Sequence, residues 1–475
     1  MRKLCATLVL LVVGAITARA QTIFDNNPNW RSSDRHYATG GQFVDLDRDG
    51  WPDFVVSNGN DMAVEKVGVY YNQAGTLQST PGWWSSDSKY HGHLTVGDID
   101  QDGWEDVVVA VLVAQNGYGV KYYRNNAGTL SSLPDWTSSN SFYGWHCALG
   151  DPDLDGDLDL LIGSSDAYGS GRWKNFIYFN TGGALERTPS WQTDDTRNLD
   201  HMEFCDVDLD GDLDVVAIGS GTCNWLYRNE GGVVSTVPDW NSSDNNNQMA
   251  NTLALGDCTG DGRPDLIMSD NNQLGGGSGR FKMYRGLPTG SFESTYSWSY
   301  YDGMVSAVAL ADLNGDGHLD LATGAWWDKI RLFLNNGSGF PASPSWNGNP
   351  TIVVEAICFA DVNRDGLVTR RETKDIFTGK TTTPNLVLNA VRRIWGGPAR
   401  HLFYLDKQPV EEILRVVVDG SELPITAYCV NRQNGWVSLK NPPTQSVMIE
   451  YVYSTKLDMG VTDWENNGNL LFYHR

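Results

Sequence analysis

Seven short acidic segments recur along the chain, and each carries enough oxygen atoms to hold a hard cation. Each has Asp at position 1, Asp, Asn or Thr at position 3, Asp at position 5 and Gly at position 6, and six also have Asp at position 9. We name these segments loops 1 to 7, and they open at Asp45, Asp98, Asp151, Asp206, Asp257, Asp312 and Asp361.

Oxygen ligands at positions 1, 3, 5 and 9 of a tight turn are typical of a calcium site, where position 7 adds a backbone carbonyl. Gly at position 6 permits the sharp turn that such a loop needs. A flexible loop with up to four carboxylates favours Ca²⁺ over Mg²⁺, because Mg²⁺ requires a stricter octahedron and keeps its water. The pattern therefore predicts up to seven Ca²⁺ ions.

The predicted ligand sets are of two kinds. Loops 1 to 4 have a carboxylate at all four positions: Asp45, Asp47, Asp49 and Asp53; Asp98, Asp100, Asp102 and Asp106; Asp151, Asp153, Asp155 and Asp159; Asp206, Asp208, Asp210 and Asp214. Loops 5 and 6 have a neutral oxygen at position 3, which predicts weaker binding: Asp257, Thr259, Asp261 and Asp265; Asp312, Asn314, Asp316 and Asp320.

Loop 7 has two possible completions. It supplies Asp361, Asn363 and Asp365, but its position 9 is Thr369. Glu372 stands at position 12, where an EF-hand loop has its bidentate Glu. Alternatively, Asp458 fills the missing place from a distant part of the chain. We favour Asp458, because the other six loops all have Asp at position 9.

A second repeat accompanies the loops. A Trp stands about fifteen residues before each one, mostly in a Pro-x-Trp motif: Trp30, Trp83, Trp136, Trp191, Trp240, Trp298 and Trp346. Because the Trp recurs in every unit, we interpret it as a structural wedge that buries apolar area between neighbouring units.

The units of about fifty residues contain four strand signals each, which is typical of a propeller blade. In the first unit the first two are at residues 42–44 and 54–56, the third ends at residues 70–71, and the short fourth is at residues 76–78. The acidic loops and strand pattern resemble the FG-GAP or VCBS repeat family, whose calcium-loop propellers also occur in integrin alpha subunits, some fungal lectins and some polysaccharide lyases. The resemblance covers residues 22–368 and about the last twenty, although the literal Phe-Gly and Gly-Ala-Pro signatures are absent. It implies an all-β fold, a seven-bladed β-propeller with calcium loops.

The chain ends suggest how the ring closes. Residues 1–20 read as a signal peptide, with Arg2 and Lys3 before an apolar run, so that a secreted or periplasmic mature protein starts near Gln21. The propeller is assigned to residues 21–369, with residues 22–25 as the outer strand of blade seven and residues 457–475 as its closing strands. Residues 370–456 then form an inserted small β-sandwich, in which residues 386–395 read as a short helix or a further strand.

Other residues suggest ligand binding. His93, His146 and His201 each stand five residues before a loop, on first strands that line the channel of a propeller. They are expected near Glu203 and Glu355. They could bind a transition metal or an anionic sugar, or they could only form hydrogen bonds to the backbone of a loop.

Aromatic residues after the second strands either stack on sugar rings or pack between blades: Trp326 and Trp327, with Trp173, Trp225, Trp464, Tyr118 and Tyr168.

The composition of the chain argues against some classes of function. A formal net charge of -23 argues against nucleic-acid binding, and no later apolar run is long enough to span a membrane. Of the six cysteines after residue 20, we would test only Cys205 with Cys223 as a disulfide.

We favour a non-catalytic binding or adhesion module for glycans or extracellular proteins, with no catalytic residue assigned. One alternative is an enzyme, polysaccharide lyase-like or metal-dependent through the three histidines. Another is a structural scaffold of an envelope or matrix. The oligomeric state stays open.

Overall fold

The computed structural model describes residues 22–112, 117–166, 171–244, 248–272, 279–375 and 400–475. The predicted signal peptide, Tyr168 and residues 386–395 lie outside these ranges. Within them the chain is all β, with one 3-10 turn at Ile425–Ala427. No helix in the described ranges is long and apolar enough to cross a membrane.

Four antiparallel four-stranded sheets follow one another along the first half of the chain. Unit 1 contains β2 (Ala38–Val44), β3 (Asp53–Asn58), β4 (Val67–Tyr70) and β5 (Trp83–Trp84). Unit 2 contains β6 (His91–Gly97), β7 (Asp106–Val111), β8 (Val120–Tyr123) and β9 (Trp136–Thr137). Unit 3 contains β10 (Gly144–Gly150), β11 (Asp159–Ser164), β12 (Phe176–Tyr178) and β13 (Trp191–Gln192). Unit 4 contains β14 (Leu199–Cys205), β15 (Asp214–Gly219), β16 (Trp225–Tyr227) and β17 (Trp240–Asn241).

The remaining units share one nine-stranded sheet in the order β1-β32-β31-β23-β22-β21-β20-β19-β18. Its strands are β1 (Trp30–Arg31), β18 (Ala250–Gly256), β19 (Asp265–Asp270), β20 (Gly279–Tyr284), β21 (Trp298–Ala311), β22 (Asp320–Phe333), β23 (Trp346–Ala360), β31 (Asp458–Asp463) and β32 (Leu470–Phe472). The sheet is continuous because β21 and β23 each act as the fourth strand of one unit and the first strand of the next. Unit 5 therefore begins at β18, unit 6 begins within β21, and unit 7 begins within β23.

The units are arranged like the blades of a propeller. The first strand of each unit contacts the first strand of the next, and β23 of unit 7 contacts β2 of unit 1. The second strands β3, β7, β11, β15 and β19 are buried along their whole length. Burial on both faces explains why these strands read as nearly continuous apolar runs rather than alternating ones.

The repeated Trp joins neighbouring units. Trp83 of unit 1 packs edge-on against Tyr123 of unit 2, with 5.7 Å between ring centroids. The Nε1 of Trp83 donates a hydrogen bond of 3.2 Å to the carbonyl of Leu130, which also belongs to unit 2. The equivalent ring contacts are Trp30 with Tyr70, Trp136 with Tyr178, Trp191 with Tyr227, Trp240 with Tyr284, Trp298 with Phe333 and Trp346 with Phe472.

The predicted position of the fourth strand is wrong. In unit 1 the predicted segment begins at Thr76, but Leu77 makes only an isolated bridge to Asn72 around a tight turn at Gly75. The fourth strands are the two-residue strands at the Trp. In unit 7, likewise, β1 pairs with β32, whereas residues 22–25 contribute only one bridge, from Phe24 to His474.

Two further sheets lie in sequence between β23 and β31, and we call them the inserted sheets. One contains β24 (Leu367–Asp375), β26 (Glu412–Val418), β27 (Ser421–Glu422) and β30 (Ser446–Ser454). The other contains β25 (Leu402–Tyr404), β28 (Tyr428–Asn431) and β29 (Trp436–Leu439). They share an apolar core that includes Val416, Val437 and Ile449. β24 begins at Leu367, before the predicted boundary at residue 370.

The six cysteines in the described ranges are buried, and none of them forms a disulfide bond. Cys205 and Cys223, the pair that the sequence suggested for testing, are not bonded to each other. These thiols therefore act as small core residues rather than as cross-links.

Candidate functional site

Each acidic loop is held in a tight turn by its own carboxylates. In loop 1, Asp45 Oδ2 accepts the amide of Gly50 at 3.0 Å, and Asp49 Oδ1 accepts the amide of Trp51 at 2.9 Å. Gly50 has a φ of 96°, in the left-handed region that Gly adopts at no steric cost. The carboxylates thus face inward around a common centre.

One buried oxygen in several loops has no hydrogen-bond partner. Position 1 uses its Oδ2 for the turn, while its Oδ1 is buried and unpaired at Asp45, Asp98, Asp206 and Asp312. An unpaired buried carboxylate oxygen is costly unless a cation or a donor reaches it. Position 1 of these four loops therefore has a buried oxygen that a cation could satisfy.

The structure brings together some of the predicted ligands. Four sets of three carboxylates have ligand atoms within 4.8 Å of one another, one in each of loops 1 to 4: Asp45, Asp47 and Asp53; Asp98, Asp100 and Asp106; Asp151, Asp153 and Asp159; Asp206, Asp208 and Asp210. The position 5 residues of loops 1 to 3 and Asp214 lie outside these sets. The carboxylates of loops 5, 6 and 7 do not form such a set among the described residues.

Position 9 has a structural role that the sequence analysis missed. Asp53 Oδ2 accepts the amide of Leu46 in its own loop at 3.2 Å, and its Oδ1 accepts the amide of Asn72 at the end of β4 at 2.8 Å. Burial raises the pKa of Asp53 to about 8. The residue therefore ties the loop to its sheet whether or not it also contacts an ion.

Asp458 takes this place in loop 7. Its Oδ2 accepts the amide of Val362 at 2.9 Å, and its Oδ1 accepts the amide of His474 at 2.7 Å. Glu372, the alternative ligand, instead accepts the hydroxyl of Tyr451 within the inserted sheets. The hydrogen bonds of Asp458 match those of Asp53.

A buried Asn links five of the seven loops to a neighbouring unit. Asn125 Nδ2 of unit 2 donates to the carbonyl of Leu46 in loop 1 at 2.9 Å. Four more do the same: Asn72 to Val362, Asn180 to Ile99, Asn229 to Pro152 and Asn335 to Cys258. In unit 7, His474 replaces the Asn, and its Nε2 lies 2.9 Å from the carbonyl of Leu313. The recurrence of Asn after the third strand was a sequence signal for this contact.

Basic side chains form ion pairs with carboxylates of several loops and so offset part of the negative charge of those loops. Ion pairs join Arg124 to Asp100, Arg228 to Asp208, Arg263 to Asp261, Lys407 to Asp312 and Lys456 to Asp365. Loops 1 and 3 make no such pair with any residue that the structure describes. These two loops have the largest uncompensated negative charge.

The inserted sheets lie against the loop side of the ring. Ser438 Oγ donates to Asp151 Oδ2 at 2.6 Å, and Arg400 Nη2 lies 3.2 Å from Asp206 Oδ2. Lys407 Nζ lies 2.9 Å from Asp312 Oδ2. The inserted sheets therefore reach position 1 of three different loops, which the sequence did not predict.

A cavity of about 550 Å³, which we call the central chamber, runs along the axis of the ring. Its wall consists of first-strand residues from all seven units, and residues 408–413 and 430–434 of the inserted sheets line its loop side. On the opposite side, Trp145 of unit 3 reaches Trp464 of unit 7, with ring centroids 6.0 Å apart. Trp326 completes this aromatic cluster at 5.8 Å from Trp464.

The three predicted histidines meet in the central chamber. His146 stacks on His201 with 3.3 Å between ring centroids, and lies 5.0 Å from His93. Burial lowers the pKa of His93 to about 4, and it holds the pKa values of His146 and His201 well below the usual range. The imidazoles are therefore neutral at physiological pH, and an anionic sugar gains no charge attraction from them.

The predicted aromatic residues divide into two groups. Trp464 is only 5% exposed, so of the two alternatives for these residues it packs inside the protein. Trp326 is half-buried, and its Nε1 donates to Glu355 at 3.0 Å. Trp327 is 54% exposed and has a φ of 56°, which is strained for a bulky residue. The other three aromatic residues are half-buried: Trp173, Trp225 and Tyr118.

Known proteins share these loops. The family model described as an FG-GAP-like repeat matches residues 45–109, 206–268 and 312–368. This chain contains FG-GAP-like repeats. Each matched FG-GAP-like segment opens at position 1 of one loop and extends into the next loop. The three segments cover loops 1 and 2, loops 4 and 5, and loop 6 with the first eight positions of loop 7.

The FG-GAP-like chain is also similar to longer and shorter proteins. It is 30% identical over 129 residues to phosphatidylinositol-glycan-specific phospholipase D from Mus musculus. That match covers 25% of this chain and 15% of the length of the relative. Two crystal structures of BBS1N in complex with ARL6DN, soaked with mercury and with lead, are each 13% identical, with TM-scores of 0.48 and 0.46. They cover 73% and 72% of this chain, and 92% of their own.

Proposed function

We propose that this protein is a secreted, calcium-stabilised β-propeller of seven blades that binds glycans without catalysing a reaction. The observation that carries the proposal is the continuity of the ring between unit 7 and unit 1. Three contacts support it there: β23 against β2, Asn72 on the carbonyl of Val362, and Trp30 on Tyr70. A closed ring gives a rigid scaffold for variable loops.

Calcium is the ion that best suits the loops. Their donors are carboxylate, amide and hydroxyl oxygens on flexible turns, which is the ligand chemistry that Ca²⁺ prefers. The unpaired Oδ1 atoms at position 1 supply the physical need for an ion. Secretion, which the chain start predicts, would expose the loops to calcium at concentrations that saturate even weak sites.

Trp327 is the best candidate for ligand contact. It is the most exposed Trp that the structure describes, and it lies beside the aromatic cluster on the side opposite the inserted sheets. An exposed indole face suits stacking against the apolar face of a sugar ring. Glycans therefore fit this surface better than a purely charged partner.

A glycan array with and without calcium tests this function. We expect binding in millimolar calcium, loss of binding in metal-free protein, and loss of binding for Trp327→Ala. Tyr301→Ala is the matched control, because Tyr301 is equally exposed but belongs to the outer edge of unit 5. An empty array in calcium, or full binding by Trp327→Ala, would reject the glycan site and favour a protein partner.

A polymeric substrate has to pass one of two sets of residues to reach the histidines of the central chamber. The inserted sheets lie at one side, and the cluster of Trp145, Trp326 and Trp464 lies at the other. We infer that this arrangement disfavours turnover of a polysaccharide in the chamber. Turnover of a polysaccharide by wild-type protein that disappears in His146→Ala would overturn this conclusion.

A further inference from the structure

Loop 3 differs from the other loops at position 2. In the other six, the backbone amide of position 2 donates to Oδ2 of the carboxylate at position 9, whose place in loop 7 is taken by Asp458. Loop 3 has Pro152 at position 2, and Pro has no amide hydrogen. Asp159 Oδ2 is therefore buried without a hydrogen-bond partner. A buried carboxylate oxygen in this state is costly unless a cation reaches it.

Loop 3 also concentrates negative charge. Oxygens of Asp151, Asp153 and Asp159 lie within 4.8 Å of one another, and Asp155 and Asp157 lie between them in sequence. No basic residue in the described ranges forms an ion pair with any of these five. Among the seven loops, all of which the structure describes, only loop 3 has no exposed residue at positions 1 to 9. Like charges that are close together and shielded from water repel strongly, so an ion stabilises this loop more than the solvent-exposed loop 1.

Two side chains of the inserted sheets donate hydrogen bonds to loop 3. Ser438 Oγ of β29 donates to Asp151 Oδ2 at 2.6 Å, and Cys429 Sγ of β28 donates to the carbonyl of Asp157 at 3.5 Å. Both donors are buried. The bond from Ser438 holds the carboxylate of Asp151 in one orientation, which favours ion binding because the ligand is then preorganised.

The inserted sheets also pack tightly on loop 3. A Cβ atom at Gly156 would lie 2.6 Å from Lys440 Cα, which is closer than such atoms approach in folded proteins. Trp436 of β29 belongs to the same buried apolar cluster as Leu149 and Leu158, which lie just before loop 3 and within it. Separation of the inserted sheets from loop 3 therefore exposes apolar surface as well as breaking hydrogen bonds, and such local opening costs free energy.

We propose that the inserted sheets retain one calcium ion in loop 3, and that this ion dissociates far more slowly than the ions of the other loops. The proposal rests on the calcium binding proposed above for the loops. Asp151, Asp153 and Asp159 would hold the ion, and Ser438 and Cys429 would hold the loop closed around it. Thermodynamic linkage requires that the ion in turn stabilises the docked position of the inserted sheets.

Isotope exchange on the full chain measures this retention. The protein is loaded with radioactive calcium and diluted into an excess of unlabelled calcium, which keeps every site occupied, and the bound label is followed with time. We expect about one ion per chain to leave at least about a hundredfold more slowly than the rest, because its release requires local opening of the inserted sheets.

Asp159→Asn should remove the slow phase and leave the fast phase unchanged. Asn keeps an oxygen that accepts the amide of Asn180, as Asp159 Oδ1 does at 2.6 Å. The Nδ2 of the new side chain faces no amide of position 2, because that residue is Pro152, so we expect the variant to fold. A cooperative melting transition of the metal-free variant checks its fold.

Ser438→Ala should accelerate the slow phase about tenfold, because a hydrogen bond to a charged acceptor is lost. Ser454→Ala is the matched control, because Ser454 Oγ donates in the same way to Asp361 Oδ2 of loop 7, at 2.8 Å. It should leave the slow phase unchanged. If Ser438→Ala does not fold, Cys429→Ala, which removes the other donor to loop 3, takes its place.

The possible failures are distinguishable. Absence of calcium binding by the wild type would overturn this inference together with the proposed calcium sites, whereas bound calcium that leaves in a single fast phase would overturn this inference alone. A slow phase that persists in Asp159→Asn would place the retained ion in another loop. A slow phase that Ser438→Ala leaves unchanged, or that Ser454→Ala accelerates equally, would show that the inserted sheets do not retain the ion in loop 3.

Discussion

At position 1 of loops 1, 2, 4 and 6 the two carboxylate oxygens have different environments, because only Oδ1 is buried without a partner. In loop 1, Asp45 Oδ2 fixes the turn at Gly50, whereas Oδ1 has no partner. Asn in this place would keep the turn but remove the charge that an ion needs. The two contributions of this side chain can therefore be separated by one substitution.

Asp45→Asn should reduce the stabilisation that calcium gives, with little effect on the metal-free protein. One site at a hundredfold excess of calcium over its dissociation constant stabilises the folded state by about 2.7 kcal/mol. We expect that contribution to disappear when denaturant midpoints are compared with and without calcium. Asp194→Asn, an exposed Asp outside the loops, is the control. Equal calcium stabilisation in both variants would remove loop 1 from the set of ion sites.

Several residue roles could be read from the sequence, and others could not. The spacing of Asp and Gly predicted which loops form close carboxylate sets, since loops 1 to 4 are the four with Asp at position 3. It did not predict that Asp53 binds two backbone amides, because a ligand and a structural acceptor have the same residue type. His474 also escaped prediction, because it replaces an Asn only once and at the end of the chain.

At the scale of elements, contacts between units matter as much as pairing within them. The sequence located first, second and third strands well, because their apolar runs recur at a fixed distance from each loop. The fourth strand was misplaced, because the apolar Leu77 lies in a turn and the pairing residues are instead at Trp83. The spacing of apolar residues in the sequence cannot distinguish an isolated β-bridge from a strand of two residues.

Asn125→Ala should destabilise the protein by about 1–3 kcal/mol, because it leaves buried backbone carbonyls without a donor. Asn125 Nδ2 donates to Leu46 in loop 1 and also to Glu105 in its own unit. Its neighbour Asn126 is exposed and bonds only locally, so Asn126→Ala is the matched control. Chemical denaturation in saturating calcium measures both. Equal midpoints for the two variants would show that the inter-unit bond contributes nothing.

At the scale of the whole molecule, charge and calcium should be coupled. Seven calcium ions would offset more than half of the formal charge of -23. The docking of the inserted sheets on loops 3, 4 and 6 was not visible in the sequence, because those contacts join segments that no repeat relates. Because of this docking, the loop side of the propeller is an interface with the inserted sheets as well as a set of candidate ion sites.

Metal-free protein should lose stability as pH rises from about 5 to about 8. Burial raises the pKa values of Asp53, Asp106 and Asp214 to about 8, far above the roughly 3.9 of an unfolded Asp. A raised folded-state pKa favours folding at low pH, and that contribution disappears as pH passes through the folded value. Calcium should remove the trend, since the ionised carboxylates then have a counter-charge.

Melting temperatures of resin-treated protein across this pH range, with and without added calcium, check this coupling. A chelating resin is preferable to a soluble chelator, whose own affinity changes with pH. Metal-free stability that increases between pH 5 and pH 8 would contradict the prediction.

The pairing of β1 with β32 has a consequence for biosynthesis. Trp30 lies opposite Leu471, so unit 7 is assembled from residues about 440 positions apart, which are translated at widely separated times. A nascent chain therefore leaves the ribosome with its first and sixth units each facing an absent neighbour. We infer that such an intermediate is exposed to proteases and chaperones until residues 470–472 emerge and join the two ends.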